Sequence, residues 1–166
     1  MFREVHLNIL LPKNRDHPGW IRVEVMGEPQ REFRILGRGS ATDAGTPTGN
    51  PTRNPLRYAG NTPTGDYISP GLESTTLWNQ SSYGPWGAVQ LKAVAGQALL
   101  AERRGRSGLL IHGGAAGRFD GYRSTLGCLR LQNSDMKQLI EIISKAGEDA
   151  RAEACEKVSV KVTVRE

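Results

Sequence analysis

The chain has 166 residues, 37% of them hydrophobic, and a formal charge of +5, which fits one globular domain over residues 1–166. No stretch approaches the roughly 20 consecutive apolar residues of a membrane-spanning helix, so no membrane span is expected. Two cysteines, Cys128 and Cys155, exclude a disulfide-rich scaffold. The small basic excess suits polyanionic surroundings without specifying which polyanion is present.

Alternating apolar residues predict β-strands in the first part of the chain, within residues 5–11, 21–25 and 33–35. Residues 37–65 are different, because they are rich in Gly, Pro, Thr and Asn and favour a long surface loop. The turn sequence Thr-Pro-Thr-Gly occurs twice there, starting at Thr46 and at Thr62.

Further strands are predicted over residues 88–94 and 108–112, with a short helix over 96–104 between them. The valines of residues 158–164 alternate with polar residues and predict a final strand.

One principal helix is predicted to begin at Asn133 or Ser134. Gly147 is expected to end it. Its apolar stripe consists of Met136, Leu139, Ile140 and Ile143. Many strands with one main helix indicate a mainly β domain.

Several kinds of site are excluded by missing motifs. The three histidines and two cysteines form neither HExxH nor CxxC, so we expect no metal site. No GxxxxGK[ST] or GxGxxG is present for nucleotide phosphates, and no GxSxG for a serine hydrolase. We therefore expect no cofactor.

One pair of residues suggests nucleophilic catalysis. His112 ends an apolar strand, and Cys128 follows after a loop long enough to return the chain beside that strand. A cysteine is mostly thiol at neutral pH, and an adjacent imidazole can take its proton. Gly127 allows close approach of a substrate carbonyl, so the amides of Gly127 and Cys128 are candidate oxyanion donors. The alternative is that Cys128 is a small buried hydrophobe and His112 an ordinary hydrogen-bonded residue.

The two segments resemble the signature of the L,D-transpeptidase catalytic domain, the YkuD family. That signature has a His-Gly, a loop, and then [Ser/Thr]-His-Gly-Cys-[Ile/Val/Leu]-Arg, which His112-Gly113 and residues 125–130 follow. The family's Thr-Pro-x-Gly-x-[Phe/Tyr] motif matches residues 62–67. The match is strongest over residues 31–147, and residues 38–61 look like a loop insertion.

The chain departs from the family pattern at two points. Leu126 stands where a histidine is common, and the loop from His112 to Thr125 is shorter than usual. The shorter loop is expected to narrow the wall of the site on the side of the donor substrate.

The resemblance implies a β-sandwich-like fold with one principal helix after the cysteine, and a cysteine enzyme acting on peptidoglycan stem peptides. Cys128 would be the nucleophile, His112 its base, and the Gly113 carbonyl the group that orients the imidazole. Thr125 would shape the turn before the cysteine.

Three further residues are implied near the substrate. Arg130 would bind a substrate carboxylate or, equally, form a structural ion pair below the site. Tyr83 and Trp86 would wall the groove, with simple packing beside a turn as the alternative reading.

Three functions fit this site. In a transpeptidase, Cys128 attacks the carbonyl of the third stem residue, expels the terminal D-amino acid and passes the acyl group to the amine of another tetrapeptide stem. Transfer to water would make an L,D-carboxypeptidase instead. A wall-binding module without catalysis is the third, and it would need neither His112 nor Cys128.

The expected location is the cell envelope, the periplasm or the outside of the cell, because the assembled wall lies there. Residues 1–8 carry charges where a Sec signal peptide needs an apolar region, so none is expected in this chain. Three hypotheses would reconcile the expected location with the lack of an expected signal peptide: trimming from a longer exported protein, delivery as a toxin with an immunity protein, or work on cytoplasmic precursors.

Nucleic acid is not an expected partner. Cys155, beyond the family match, is expected to be a spare reduced thiol.

Overall fold

A computed structural model describes residues 3–41, 49–152 and 158–166, so Cys155 lies outside the described residues. In chain order the elements are β1 (Arg3–Leu10), β2 (Gly19–Val25), β3 (Arg31–Ile35), β4 (Gly65–Ile68), β5 (Leu72–Glu73), α1 (Gln80–Tyr83), β6 (Ala88–Gln90), β7 (Lys92–Ala95), α2 (Gln97–Arg103), β8 (Leu110–His112), β9 (Leu129–Arg130), α3 (Asn133–Ala152) and β10 (Val158–Arg165). The predicted fold class is confirmed: the structure is mainly β, with two sheets and one main helix.

The larger sheet contains six strands in the order β3-β2-β1-β10-β4-β7. Its central pair joins the two ends of the described chain, because β1 and β10 run parallel with Val5 opposite Val160 and Ile9 opposite Val164. Alternate side chains of these strands are buried, as the period of two in the sequence predicts. The final strand is therefore an interior strand of the sheet.

The smaller sheet has the order β5-β6-β8-β9, and it carries the two segments singled out by the sequence. One hydrophobic cluster joins the inward side chains of the larger sheet to Ile111 of β8, Leu129 of β9 and Met136 of α3. β8 and β9 are thereby held on one side by the core, which leaves their other side available for a site.

The strand predicted over residues 88–94 is corrected by the structure. It divides at Leu91 into β6 and β7, which belong to different sheets. Leu91 is buried, and its N–H donates to the carbonyl of Leu109 at 3.0 Å. The sequence pattern does not reveal this change of partner, because both halves have residues typical of a strand and their partners lie elsewhere in the chain.

The end predicted for the main helix at Gly147 is wrong, since α3 continues to Ala152. Gly147 is not among the glycines with positive φ, so it adopts no left-handed cap. A glycine inside a helix costs only about 1 kcal/mol. Burial of Ala146 and Ala150 on either side offsets that cost.

Among the described residues, no helix is long and apolar enough to cross a membrane.

Residues 37–65 are more than the predicted surface loop. Asn50 is buried, and its side chain donates to the carbonyls of Asn54 and Tyr58 at 2.9 and 3.1 Å. Ala59 and Thr62 are also buried. The first Thr-Pro-Thr-Gly turn lies mostly outside the described residues. The described part of this segment is bonded to the turn before β9, because the Thr62 hydroxyl donates to the Gly127 carbonyl.

Candidate active site

The pairing of β8 with β9 brings the two predicted catalytic residues together. The strands run parallel, with Ile111 opposite Leu129 and His112 opposite Arg130. Ile111 and Leu129 point into the core and are fully buried. Because side chains alternate along a strand, His112 and Arg130 lie on the opposite face, toward which Cys128 also points. His112 and Cys128 line the same cavity on that face.

His112 is held in one tautomer. Its Nδ1 lies 2.6 Å from the Gly113 carbonyl oxygen, and a carbonyl only accepts, so Nδ1 carries the proton. Nε2 therefore has a free lone pair. Burial lowers the pKa of His112 from 6.5 to about 4, although the Gly113 hydrogen bond opposes this effect. The ring is accordingly a neutral base at neutral pH.

Because the imidazole of His112 is buried, we expect the free energy of unfolding of the protein to fall in acid. The folded-state pKa is about 4 and the ordinary value is 6.5, so protonation favours the unfolded chain. The contribution of the neutral imidazole to the free energy of unfolding is fully present above pH 6.5. It is lost as the pH falls toward 4, and the change is about 3 kcal/mol. Urea unfolding of wild type and His112→Gln at pH 7 and pH 4.5 measures it. The variant should lose less stability, and equal losses would contradict the burial argument.

The Cys128 thiol lies at the edge of the sheet, partly open to solvent. The backbone N–H of Leu110 donates to its Sγ at 3.3 Å. Burial raises the pKa of Cys128, while the Leu110 hydrogen bond and the charges of Arg106 and Arg130 oppose the rise. At neutral pH the Cys128 thiol is therefore protonated and the His112 imidazole is neutral.

The turn before Cys128 is fixed by two threonines. The Thr125 hydroxyl donates to the Cys128 carbonyl at 2.7 Å and accepts from the Gly127 N–H at 3.0 Å. The buried Thr62 hydroxyl donates to the Gly127 carbonyl at 2.7 Å. The Gly127 amide, expected to face an oxyanion, is thus engaged by Thr125 in this structure. That leaves the Cys128 amide as the candidate donor.

Arg106 was not singled out by the sequence, where it stands among other arginines without a motif. Its buried guanidinium donates to the carbonyls of Pro55, Asn61, Gly60 and Leu126, the last two at 3.1 and 3.2 Å. It therefore joins the segment before β4 to the turn that precedes Cys128.

Gly127 is needed for this arrangement, so Gly127→Ala is expected to destabilise the protein. A Cβ there would overlap Nη2 of Arg106, and the backbone has φ +128°. Displacing the guanidinium breaks charged hydrogen bonds worth about 2 kcal/mol. Gly105→Ala is the matched control, because Gly105 also has positive φ (+95°) but its Cβ would meet nothing within 4 Å. Urea unfolding should rank Gly127→Ala well below Gly105→Ala, and equal losses would contradict the clash.

Arg130 is buried below the site and holds two loops. Its guanidinium donates to the carbonyls of Ser82 and Ala115, the latter at 3.2 Å. Burial lowers its pKa to about 10. Within the described residues it makes no ion pair, and its Nε has no hydrogen-bond partner. The structural ion pair considered for this residue is absent there, and backbone carbonyls take its place.

The two predicted groove aromatics lie in different places. The Tyr83 ring, at the end of α1, lies 4.9 Å from the ring of His112, centroid to centroid. Trp86 is exposed and stacks with Lys137 of α3, whose Nζ lies 4.8 Å from the ring centre. The cavities described at Cys128 are lined by Tyr83 and not by Trp86.

The start of α3 fixes the turn after His112, a role the sequence did not reveal. Asn133 accepts a hydrogen bond from the Gly114 N–H at 2.8 Å. A Cβ on Gly113 would overlap that same Asn133 side chain, so the turn requires glycine. The carbonyl that orients His112 is thereby positioned by the main helix.

Two cavities meet at Cys128. The His112 cavity has a volume of about 180 Å³, and its lining includes His112, Arg123 and Arg130. The arginine cavity, about 470 Å³, is formed by residues 56–58 and 104–110. Tyr83, Leu126 and Cys128 line both of them. A third cavity of about 480 Å³ lies around Trp20 on the larger sheet, and the described residues that line it include no cysteine or histidine.

The chain is similar to known proteins in sequence family and in fold. The model of the family YkuD, described as the L,D-transpeptidase catalytic domain, matches residues 23–162. The structure of Bd1075 from Bdellovibrio bacteriovorus is 18% identical, with a TM-score of 0.53 over 95% of this chain and 46% of that chain. The structure of LD transpeptidase LdtMt1 in complex with imipenem is 13% identical, with a TM-score of 0.48 over 98% and 59% of the two chains.

This chain therefore spans about half the length of those two solved chains. A search of curated proteins found no match. The likeness to Bd1075 shows the fold, and the family match extends over most of the chain, including both segments of the site. The chain belongs to the YkuD family of L,D-transpeptidase catalytic domains.

Proposed function

We propose that the chain is a cysteine-dependent L,D-transpeptidase that acts on peptidoglycan stem peptides through a thioester. The observation that carries the proposal is that His112 and Cys128 line one cavity, with Nδ1 of the imidazole bonded to the Gly113 carbonyl. Nε2 is then the atom available to the thiol. Membership of the family supplies the substrate class.

In the acylation step, the thiol proton moves to Nε2 of His112 as Sγ attacks the carbonyl of the third stem residue. The oxyanion that forms is stabilised by the Cys128 amide. The imidazolium then protonates the departing amine, the C–N bond breaks, and the C–S bond of the thioester remains. The low pKa of His112 makes its protonated form a strong acid for this last transfer.

In the transfer step, the amine of a second stem attacks the thioester. His112 removes a proton from that amine as the new C–N bond forms. The C–S bond of the thioester then breaks, and the departing thiolate takes the proton back from the imidazolium. Water in place of the amine gives hydrolysis by the same sequence of proton transfers. The proposed location is the cell envelope, the periplasm or outside the cell, where assembled wall is found.

Purified disaccharide-tetrapeptide incubated with the protein and weighed by mass spectrometry tests the proposal. Transpeptidation releases one D-amino acid and gives a dimer linked between two third residues. Release of the tripeptide stem without dimer would assign the L,D-carboxypeptidase reaction to the site. Neither product, together with no acyl adduct on Cys128, would overturn both.

A further inference from the structure

The arginine cavity has a one-sided charge. Arg57, Arg104 and Arg106 line it, and no Asp or Glu is found among its described lining residues. Its outer wall comes from residues 56–58, part of the segment that the sequence suggested was an insertion. A cavity next to a nucleophile with three guanidinium groups and no carboxylate favours an anionic ligand.

The three arginines differ in how many of their guanidinium N–H donors are already bonded within the protein. Arg106 is buried, and its Nη atoms are bonded to backbone carbonyls. Arg57 is exposed and uses Nη2 to bond the Gly49 carbonyl at 3.1 Å. Arg104 is exposed, and its side chain has no hydrogen bond or ion pair within the described part of the chain. Arg57 and Arg104 are therefore the groups able to bind a ligand.

The chemistry of His112 decides which half of the substrate faces them. The departing amine receives its proton from His112, and the acceptor amine loses a proton to the same atom. Both amines must therefore lie on the His112 side of Cys128, in the smaller cavity. The acyl half of the donor stem is left to extend from Cys128 in the other direction, into the arginine cavity.

The acyl half carries a suitable anion. The second residue of a peptidoglycan stem is a D-glutamyl residue joined through its γ-carboxyl, so its α-carboxylate is free unless it is amidated. Guanidinium groups bind carboxylates through charge-assisted hydrogen bonds. This residue adjoins the third residue, whose carbonyl reacts with Cys128, so its carboxylate would come within reach of the same cavity.

We infer that the arginine cavity binds the acyl half of the donor stem, and that Arg57 and Arg104 select for the free α-carboxylate of its second residue. The inference rests on the proposed function for its substrate. It assigns to this chain a preference for stems with a free carboxylate over amidated stems.

The test compares Arg57→Gln and Arg104→Gln on two tetrapeptide stems that differ only in whether this carboxylate is free or amidated. With the free carboxylate, each variant should raise KM about tenfold and change kcat little, because one charge-assisted hydrogen bond is lost. With the amidated stem, variant and wild type should behave alike. Arg103→Gln is the matched control, since it removes the same charge one residue away and outside the described cavity lining.

Equal losses on both stems, or no loss on either, would overturn the inference. Binding of the same stems to Cys128→Ala, measured by calorimetry with and without each arginine substitution, gives a readout that needs no turnover. If wild type turns over neither stem, the proposed function fails. The inference then fails too unless the binding data show the same carboxylate-dependent tenfold difference.

Discussion

Cys128→Ala should reduce turnover of stem peptides by at least about 10⁴-fold, because it removes the sulfur on which the proposed thioester forms. The fold should survive, since a small side chain replaces a small one at the edge of β9. Circular dichroism and mass spectrometry of the acyl adduct measure the two effects. The matched control is Cys155→Ala, which removes the other cysteine and should retain full activity.

A Cys128→Ala enzyme with wild-type turnover would contradict the cysteine mechanism. An adduct found on Cys155 in the wild type, with none on Cys128, would contradict it as well. Peptide mapping of the protein locates the adduct, and mass spectrometry of the stem peptides measures the turnover.

His112→Ala should lower the rate of acylation at neutral pH by about 10²- to 10⁴-fold, because the thiol then has no base. Part of the loss should be recovered at high pH, where the thiol ionises unaided. Because burial raises the pKa of Cys128, this recovery requires a pH above the usual range of a free cysteine. His17→Ala is the control, since His17 is an exposed histidine paired with Asp120.

The wild-type rate should have a matching acid limb. The base must be neutral, so activity is retained below pH 6.5 and falls only as the pH approaches the His112 pKa of about 4. A limb near 6.5 would show that the imidazole is far more solvated than this structure has it. An unchanged neutral-pH rate in His112→Ala would make His112 a structural residue.

Much of the secondary structure follows from local sequence patterns. The valines of β10 and the alternation in β1 and β2 report burial on one face, and they were predicted without knowledge of partners. An apolar stripe and a capping residue, Asn133 or Ser134, likewise predicted the main helix, and α3 begins at Asn133, whose side chain accepts from the Gly114 N–H. Such patterns record which side chains must leave water, which is a local property of the chain.

The partners of those elements depend on the whole fold. The alternation in β10 does not show that it pairs parallel with β1. The strand pattern over residues 88–94 does not show that its two halves join different sheets. Gly147 was a reasonable helix end by composition, but packing of its neighbours outweighed its propensity. In each case the deciding contacts come from residues far away in the sequence.

The features of the candidate site also differ in whether they could be predicted from the sequence. The sequence by itself determined the family, and it singled out His112 and Cys128 because their motifs are short and contiguous. Only the tertiary structure showed that Arg130 is bonded to backbone carbonyls, that Trp86 does not line the two cavities described at Cys128, and that Arg106 supports the turn before Cys128. The physical reason is that these roles depend on which carbonyls and cavities a long side chain can reach once distant loops have packed together.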